Sequence, residues 1–304
     1  MKQHLVGYIS LALAASMWGG SYVVSKYIMD SIPPITLVWL RYVIALAVLA
    51  VFVLLKERHK WRSYQWTKTS IRYIFLIGFI GYFLSIILQF IGTNLADAHT
   101  GSLITSATPA FMTILAFWML KETLTIRKIV ALVLALCGIV IVVGVGHTGQ
   151  SYIVGGIILV GAAATWALMS IYAKLAAEYV SVLVLTTCAI FIAFIFTTPF
   201  MLWELTQSTV TMSTQGVASV LYLGIIATAV AFFLWNKGLE LVEASVGSLF
   251  FFFQPLVGAI LGWMFLKEQL SMQFFIGAIC IMCAVALTII EPKSSSTSYK
   301  TNIS

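Results

Sequence analysis

The side chains able to do chemistry in this 304-residue chain are polar groups set inside apolar runs, and their types suit reversible binding rather than bond-making. Arg41 lies six residues into the run 35–55. A charge inside a bilayer costs roughly 2.5–3.5 kcal/mol even on the lenient insertion scale, so it should face protein or water. Two readings stand for it. It is a cavity cation for a carboxylate or other anionic group, or it snorkels to the outer interface or pairs with another helix. Tyr82, Ser85 and Gln89 share a helical face at i, i+3, i+7; Thr105 and Thr108 adjoin Pro109, and Gln254 adjoins Pro255. Polar groups beside a helix break are natural ligands, because loosened carbonyls add acceptors there. The plainer reading is hydrogen bonding between helices, worth roughly 0.6 kcal/mol each. Trp18 with Tyr22 one turn later, and Trp166 with Ser170 one turn later, suit either an aromatic cavity wall or helix packing. Trp235, which matches Gln89, and Phe251, one turn before Pro255, complete the candidate contacts.

Nothing in the chain points to an enzyme. His4, His59, His99 and His147 are scattered in or near loops, and there is no GxSxG, HExxH or carboxylate cluster. Cys280 and Cys283 form a CxxC in mid-run without a second pair or nearby histidines. Neither a disulfide framework nor a metal site is expected, and no cofactor. Cys137 and Cys283 share a repeat position, which favours helix packing.

The elements holding these residues follow from composition. The chain is 61% hydrophobic and 9% charged, with a mean hydropathy of +1.04. Soluble domains carry about 25% charged residues, so lipid must be the solvent for most of this one. The net charge of +7 is no nucleic-acid patch: the basic residues punctuate apolar runs, as cytoplasmic membrane loops do. The expected partners are a small-molecule substrate and membrane lipid, with monomer and homodimer both open. Ten runs approach the roughly 20 residues a span needs: 5–28, 35–55, 73–93, 100–120, 128–146, 152–173, 180–203, 216–236, 245–266 and 272–290. The first run continues past a signal-peptidase-like Ala12-Leu13-Ala14, so it reads as an uncleaved span. Only Lys26, Arg41 and Lys267 fall at outer ends, which predicts cytoplasmic N- and C-termini.

The chain repeats itself. At a shift of 146, Gly101-Ser102-Leu103 falls on Gly247-Ser248-Leu249, Pro109 on Pro255, and Leu120-Lys121-Glu122 on Leu266-Lys267-Glu268. Trp18 and Lys26 fall on Trp166 and Lys174 at a shift of 148. Each later copy reads as an apolar helix with a proline inside it, costly unless neighbouring helices satisfy the freed carbonyl. A five-span unit used twice must enter the membrane in opposite senses, which gives inverted-topology repeats. The expected fold class is an all-α polytopic membrane protein of ten transmembrane helices in two inverted five-helix repeats. The expected domains are residues 1–147 and 148–290, with 291–304 a disordered cytoplasmic tail. Glu122 and Glu268, ending repeat-related spans beside a lysine, read as gating or structural groups, as do Pro109 and Pro255. Asp97, His99, Glu240 and Glu243 read as solvated turn charges. Gly258 and Gly262 form a GxxxG suited to close helix approach.

The motifs WGGSYVVSKY at 18–27, LRY at 40–42, TPAFMTILAFWMLKETL at 108–124 and QPLVGAILGWMFLKEQL at 254–270 together resemble the EamA-type drug/metabolite transporter superfamily. The likeness runs from about Leu5 to Ile290. It implies a central cavity lined by spans one, three and four and their partners six, eight and nine. It further implies a secondary transporter of the cell membrane working by alternating access, an exporter of amino acids or related metabolites. A non-transporting membrane sensor or assembly protein is the alternative. No mid-span carboxylate marks a coupling proton site.

Overall fold

The computed structural model describes residues 2–29, 31–58, 64, 66–95, 104–143, 150–266 and 272–289. They form helices and no strand. In chain order these are α1 (Lys2–Ile28), α2 (Pro34–Lys56), α3 (Lys68–Leu95), α4 (Thr108–Met119), α5 (Ile126–Val143), α6 (Gln150–Ala176), α7 (Val182–Leu205) and α8 (Thr214–Leu241). Next come α9, which joins Ala244–Ser248, a 3₁₀ turn Leu249–Phe252 and Phe253–Leu266, and α10 (Met272–Ile289). Local chemistry starts several of them. Pro33 and Pro34 open α2, where a missing N–H costs nothing. Thr67, Ser181 and Ser213 accept from the first-turn amides of Ser70, Val184 and Gly216, capping α3, α7 and α8.

By length and composition, α2, α3, residues 153–176 of α6, α7 and α8 can each cross a bilayer. Their outer faces agree: Leu55 is 76% exposed, Ile157 68% and Trp203 64%. Such side chains on every side would be untenable in water, and with the internally bonded backbone of a helix they suit hydrocarbon. The molecule is a multi-pass membrane protein.

The packing partners follow the sequence repeat. Helix α1 lies against α8 and α9, while its repeat counterpart α6 lies against α3 and α4. Helices α2 and α7 pair with each other, as do α5 and α10. The largest apolar core runs through α1–α4 and α6–α9, and a smaller one joins Ala131 and Ala135 of α5 to Phe252 and Leu256 of α9 and Ala284 of α10. Close approach is made possible by small residues. A Cβ on Gly19 would meet the Gln254 carbonyl at 2.6 Å and the Gly258 nitrogen at 3.1 Å. Gly258 therefore serves packing between α1 and α9 within the chain.

Three features depart from the sequence expectation. The prolines do not sit inside α-helices. Pro109 occupies the first turn of α4, and Pro255 is the third residue of its α-helical segment, after the 3₁₀ turn. A proline's ring clashes with the carbonyl four residues back, so the α-helix begins around it rather than running through it. Pro199, by contrast, lies inside the uninterrupted α-helix α7. Second, α3 and α8 each contain nine π-helical residues, Ile77–Ser85 and Tyr222–Val230, at matching repeat positions. Third, Glu243 is a turn charge with 56% of its side chain exposed, as expected, but it pairs at 2.5 Å with Lys128, whose side chain is 3% exposed. Glu240 likewise pairs with Lys237. Asp97, His99, Lys267, Glu268 and the tail 291–304 lie outside the described residues.

Candidate functional site

A cavity of about 30 Å³ lies among α1, α2, α3, α4, α6, α8 and α9. That is room for a water molecule and not for a metabolite, so the walls are drawn together at the site. Nine of the expected contacts line it: Trp18, Tyr22, Arg41, Gln89, Thr105, Thr108, Trp166, Phe251 and Gln254.

Its walls are aromatic. Trp18 packs edge-on to Trp166 at 5.2 Å and meets Phe251 at 5.6 Å, while Phe232 lies 5.4 Å from Trp166. The two tryptophans occupy equivalent places on α1 and α6 but differ in bonding. The Trp18 indole N–H donates to the Ala227 carbonyl at 3.0 Å. The buried Trp166 N–H has no partner among the described residues.

A polar chain crosses another side. Gln89 Nε2 donates to the Tyr22 hydroxyl at 2.8 Å, that hydroxyl shares a 2.9 Å hydrogen bond with Thr105, and Thr108 donates to the Thr105 carbonyl at 2.6 Å. Ser85 donates to the Ala162 carbonyl at 2.8 Å. Gln254, 4% exposed, has a buried Oε1 with no partner among the described residues.

Arg41 is 3% exposed. Its Nε donates to Thr228 Oγ1 at 2.6 Å and its Nη2 to the Ala227 carbonyl at 3.3 Å. Thr228 is oriented by donating in turn to the Leu223 carbonyl at 2.6 Å, a reach of five residues that the π-helix provides. The guanidinium lies 5.8 Å from the Phe90 ring centre and 5.9 Å from that of Phe232, within cation–π range. No Asp or Glu among the described residues pairs with it. The side chain is drawn inward to this site rather than outward to an interface.

Tyr82, Ser170 and Trp235 do not reach the cavity. They form the layer behind it, where Trp235 Nε1 donates to Ser170 at 3.1 Å and Asn236 Nδ2 donates to the Tyr82 hydroxyl at 2.7 Å and to Thr186 at 2.9 Å. The i, i+3, i+7 face drawn for Tyr82, Ser85 and Gln89 assumes α-helical spacing. The π-helix through Ile77–Ser85 turns Tyr82 off that face and keeps Ser85 and Gln89 on it.

Outside the cavity, Glu122 accepts the Ala244 N–H at 2.7 Å, the Ser245 N–H at 3.1 Å and the Ser245 hydroxyl at 2.6 Å. Its partner is the positive end of α9 rather than a basic side chain. Lys121, the non-glycine residue with positive φ (56°), makes the left-handed turn that places it. Nearby, Lys174 Nζ donates to the Leu239 carbonyl at 2.9 Å and to the Val242 carbonyl. Glu204 does the same work at the start of α2, accepting from the Ile35 N–H at 3.1 Å, the Thr36 N–H at 2.6 Å and the Thr36 hydroxyl at 2.7 Å.

Sequence reasoning missed Phe232, Ser21, Asn236 and Glu204. Phe232 was reachable, since it falls on Ile86 at the 146 shift and both line the cavity. Glu204 left no signal, because its partners are backbone amides.

An aromatic-walled polar chamber enclosed by lipid-facing helices defines a membrane transporter. The chain belongs to the EamA-like transporter family, whose sequence profile matches residues 5–144 and again 153–290. It is 29% identical over 298 residues to the "uncharacterized transporter YetK" of Bacillus subtilis (strain 168), covering 96% of this chain and 89% of that protein. It is 24% identical over 287 residues to the "uncharacterized transporter YoaV" of the same organism, covering 94% and 96%. One crystal structure superposes with a TM-score of 0.79 at 18% identity, covering 95% of this chain and 99% of that one, a likeness of fold.

Proposed function

We propose that the chain is a secondary carrier that exports amino acids or related small metabolites across the cell membrane by alternating access. In this reading ten spans form two inverted five-helix repeats, residues 1–147 and 148–290, with both termini cytoplasmic. The observation that carries it is the exchange of partners between halves: α1 sits on α8 and α9 as α6 sits on α3 and α4, and the cavity lies between these two sets. Rocking one set against the other opens such a site to each side in turn. The small cavity supports an occluded state, and Glu122 at the start of α9 is a contact that must part for cytoplasmic opening.

Two experiments test this reading. Metabolite profiles of the medium from cells with and without the protein are compared; an accumulating amino acid or relative is expected, and unchanged profiles together with no flux in loaded liposomes sink the carrier. Cysteine accessibility is mapped at positions 121 and 267. Opposite sides are expected, and the same side removes the inverted repeat.

A further inference from the structure

We infer that this cavity reads a single carboxylate on its substrate, bound at Arg41, beside an N–H or O–H donor received by Gln254. The inference rests on the carrier reading and names the substrate class for the same site.

Three buried groups at the cavity are incompletely used. Arg41 has five N–H donors, always charged. Two hydrogen bonds to neutral oxygens and two aromatic rings leave its charge uncompensated by any described acid. A buried charge is costly unless paired. Trp166 and Gln254 are each more than nine-tenths buried, and the Trp166 indole N–H and the Gln254 Oε1 have no partner among the described residues. Together they offer a cation, a neutral donor and a neutral acceptor around an aromatic chamber.

The charge balance selects the ligand. A monoanion balances Arg41, whereas a dianionic phosphate leaves an excess negative charge with no second cation among the described residues that line the cavity. An organic cation adds to the charge already there. A carboxylate also matches the planar fork of a guanidinium. The unused Gln254 oxygen suits a donor on the ligand: a 2-hydroxy group supplies it on a monoanion, and a 2-ammonium group supplies it on a zwitterion whose carboxylate still meets Arg41 while its second charge lies at Gln254. The Trp166 N–H adds a donor for an acceptor on the ligand. An apolar remainder would lie against Trp18, Trp166 and Phe251 once these walls part to admit it.

The site is also one-sided. A Cβ on Gly224 of α8 would meet Ile44 Cβ at 2.6 Å and the Arg41 carbonyl at 3.2 Å, while one on Gly78 of α3 would meet Ile192 Cβ at 2.7 Å and the Ala189 carbonyl at 2.6 Å. These equivalent contacts set Arg41 opposite Ala189 in the second half. The cation is a departure from the repeat and not a requirement of its packing.

The test uses purified full-length protein, reading tryptophan fluorescence for binding and proteoliposomes for flux. The probes are L-leucine, L-phenylalanine and their 2-hydroxy acid analogues, each beside its amide or methyl ester; those of the hydroxy acids are uncharged, and those of the amino acids keep the ammonium group. At least one free acid is expected to bind and move, with its amide or ester at least tenfold weaker. Arg41→Gln should remove acid binding, and Arg41→Lys should retain a weakened form of it. The acid-to-amide comparison on the native protein stands even if the variants fold poorly. An amide, ester or amine that moves as well as the acid overturns this inference while leaving the carrier intact. No movement of any charged or neutral probe across a broad metabolite panel overturns both.

Discussion

Glu122 and Ala244 are joined side chain to backbone: the carboxylate ending the α4 region accepts the first amide of α9 at 2.7 Å. The same carboxylate takes the Ser245 N–H and hydroxyl, so three donors converge on one residue. Hydrogen bonds to a charged group are each worth roughly 1.5–3 kcal/mol, and an N-terminal anion gains from the helix dipole. Glu122→Ala should therefore lower the thermal midpoint in detergent. It should also speed labelling of a cysteine placed at buried Val246 by a polar reagent. Glu122→Gln should fall between the two. Unchanged labelling in Glu122→Ala would show that this contact does not hold the end of α9.

The two cavity tryptophans should respond differently to loss of their N–H groups. Trp18→Phe removes a bond to the Ala227 carbonyl and should cost about 1 kcal/mol or more of stability. Trp166→Phe removes a donor that has no partner among the described residues, so its stability should change less. Binding should show the reverse order, with the larger loss in Trp166→Phe. Melting curves and substrate titrations on both variants check this, and equal stability losses would count against it.

Gly78 and Gly224 should tolerate no side chain. Alanine at either position meets backbone or Cβ atoms at 2.6–2.7 Å, where nothing flexible can yield. Each substitution should cost about 1–3 kcal/mol, typical of overpacking. Because the glycines open the two π-helical segments, near-equal losses in the two variants are expected in thermal unfolding.

Lys121 holds a left-handed backbone with φ of 56°. A left-handed turn costs a non-glycine residue roughly 1–2 kcal/mol. Lys121→Gly should raise the thermal midpoint, partly offset by the entropy of glycine in the unfolded chain. Lys121→Val should lower it. A lower midpoint for the glycine variant would mean that the lysine side chain contributes more than the backbone strain removes.

Much of this site was legible from the repeat. Overlaying the halves paired Trp18 with Trp166 and Pro109 with Pro255, and the polar groups beside those prolines do meet at one cavity. The turn of α3 was not legible. A π-helix is set by the packing of Gly78 on α7 and has no composition of its own, so the facing of Tyr82 was drawn on the wrong pitch. The roles of Glu122 and Glu204 were equally hidden, since any residue supplies a backbone amide. The charge on Arg41 was visible, but whether it turned outward or inward depended on Thr228, which lies 187 positions away in the chain.

The pairing of Arg41 with Ala189 bears on how such a molecule can descend from a duplicated ancestor. Two copies of the first half would force two guanidinium groups into one apolar chamber, and two copies of the second would place none there. Neither half could stand in for the other by self-association.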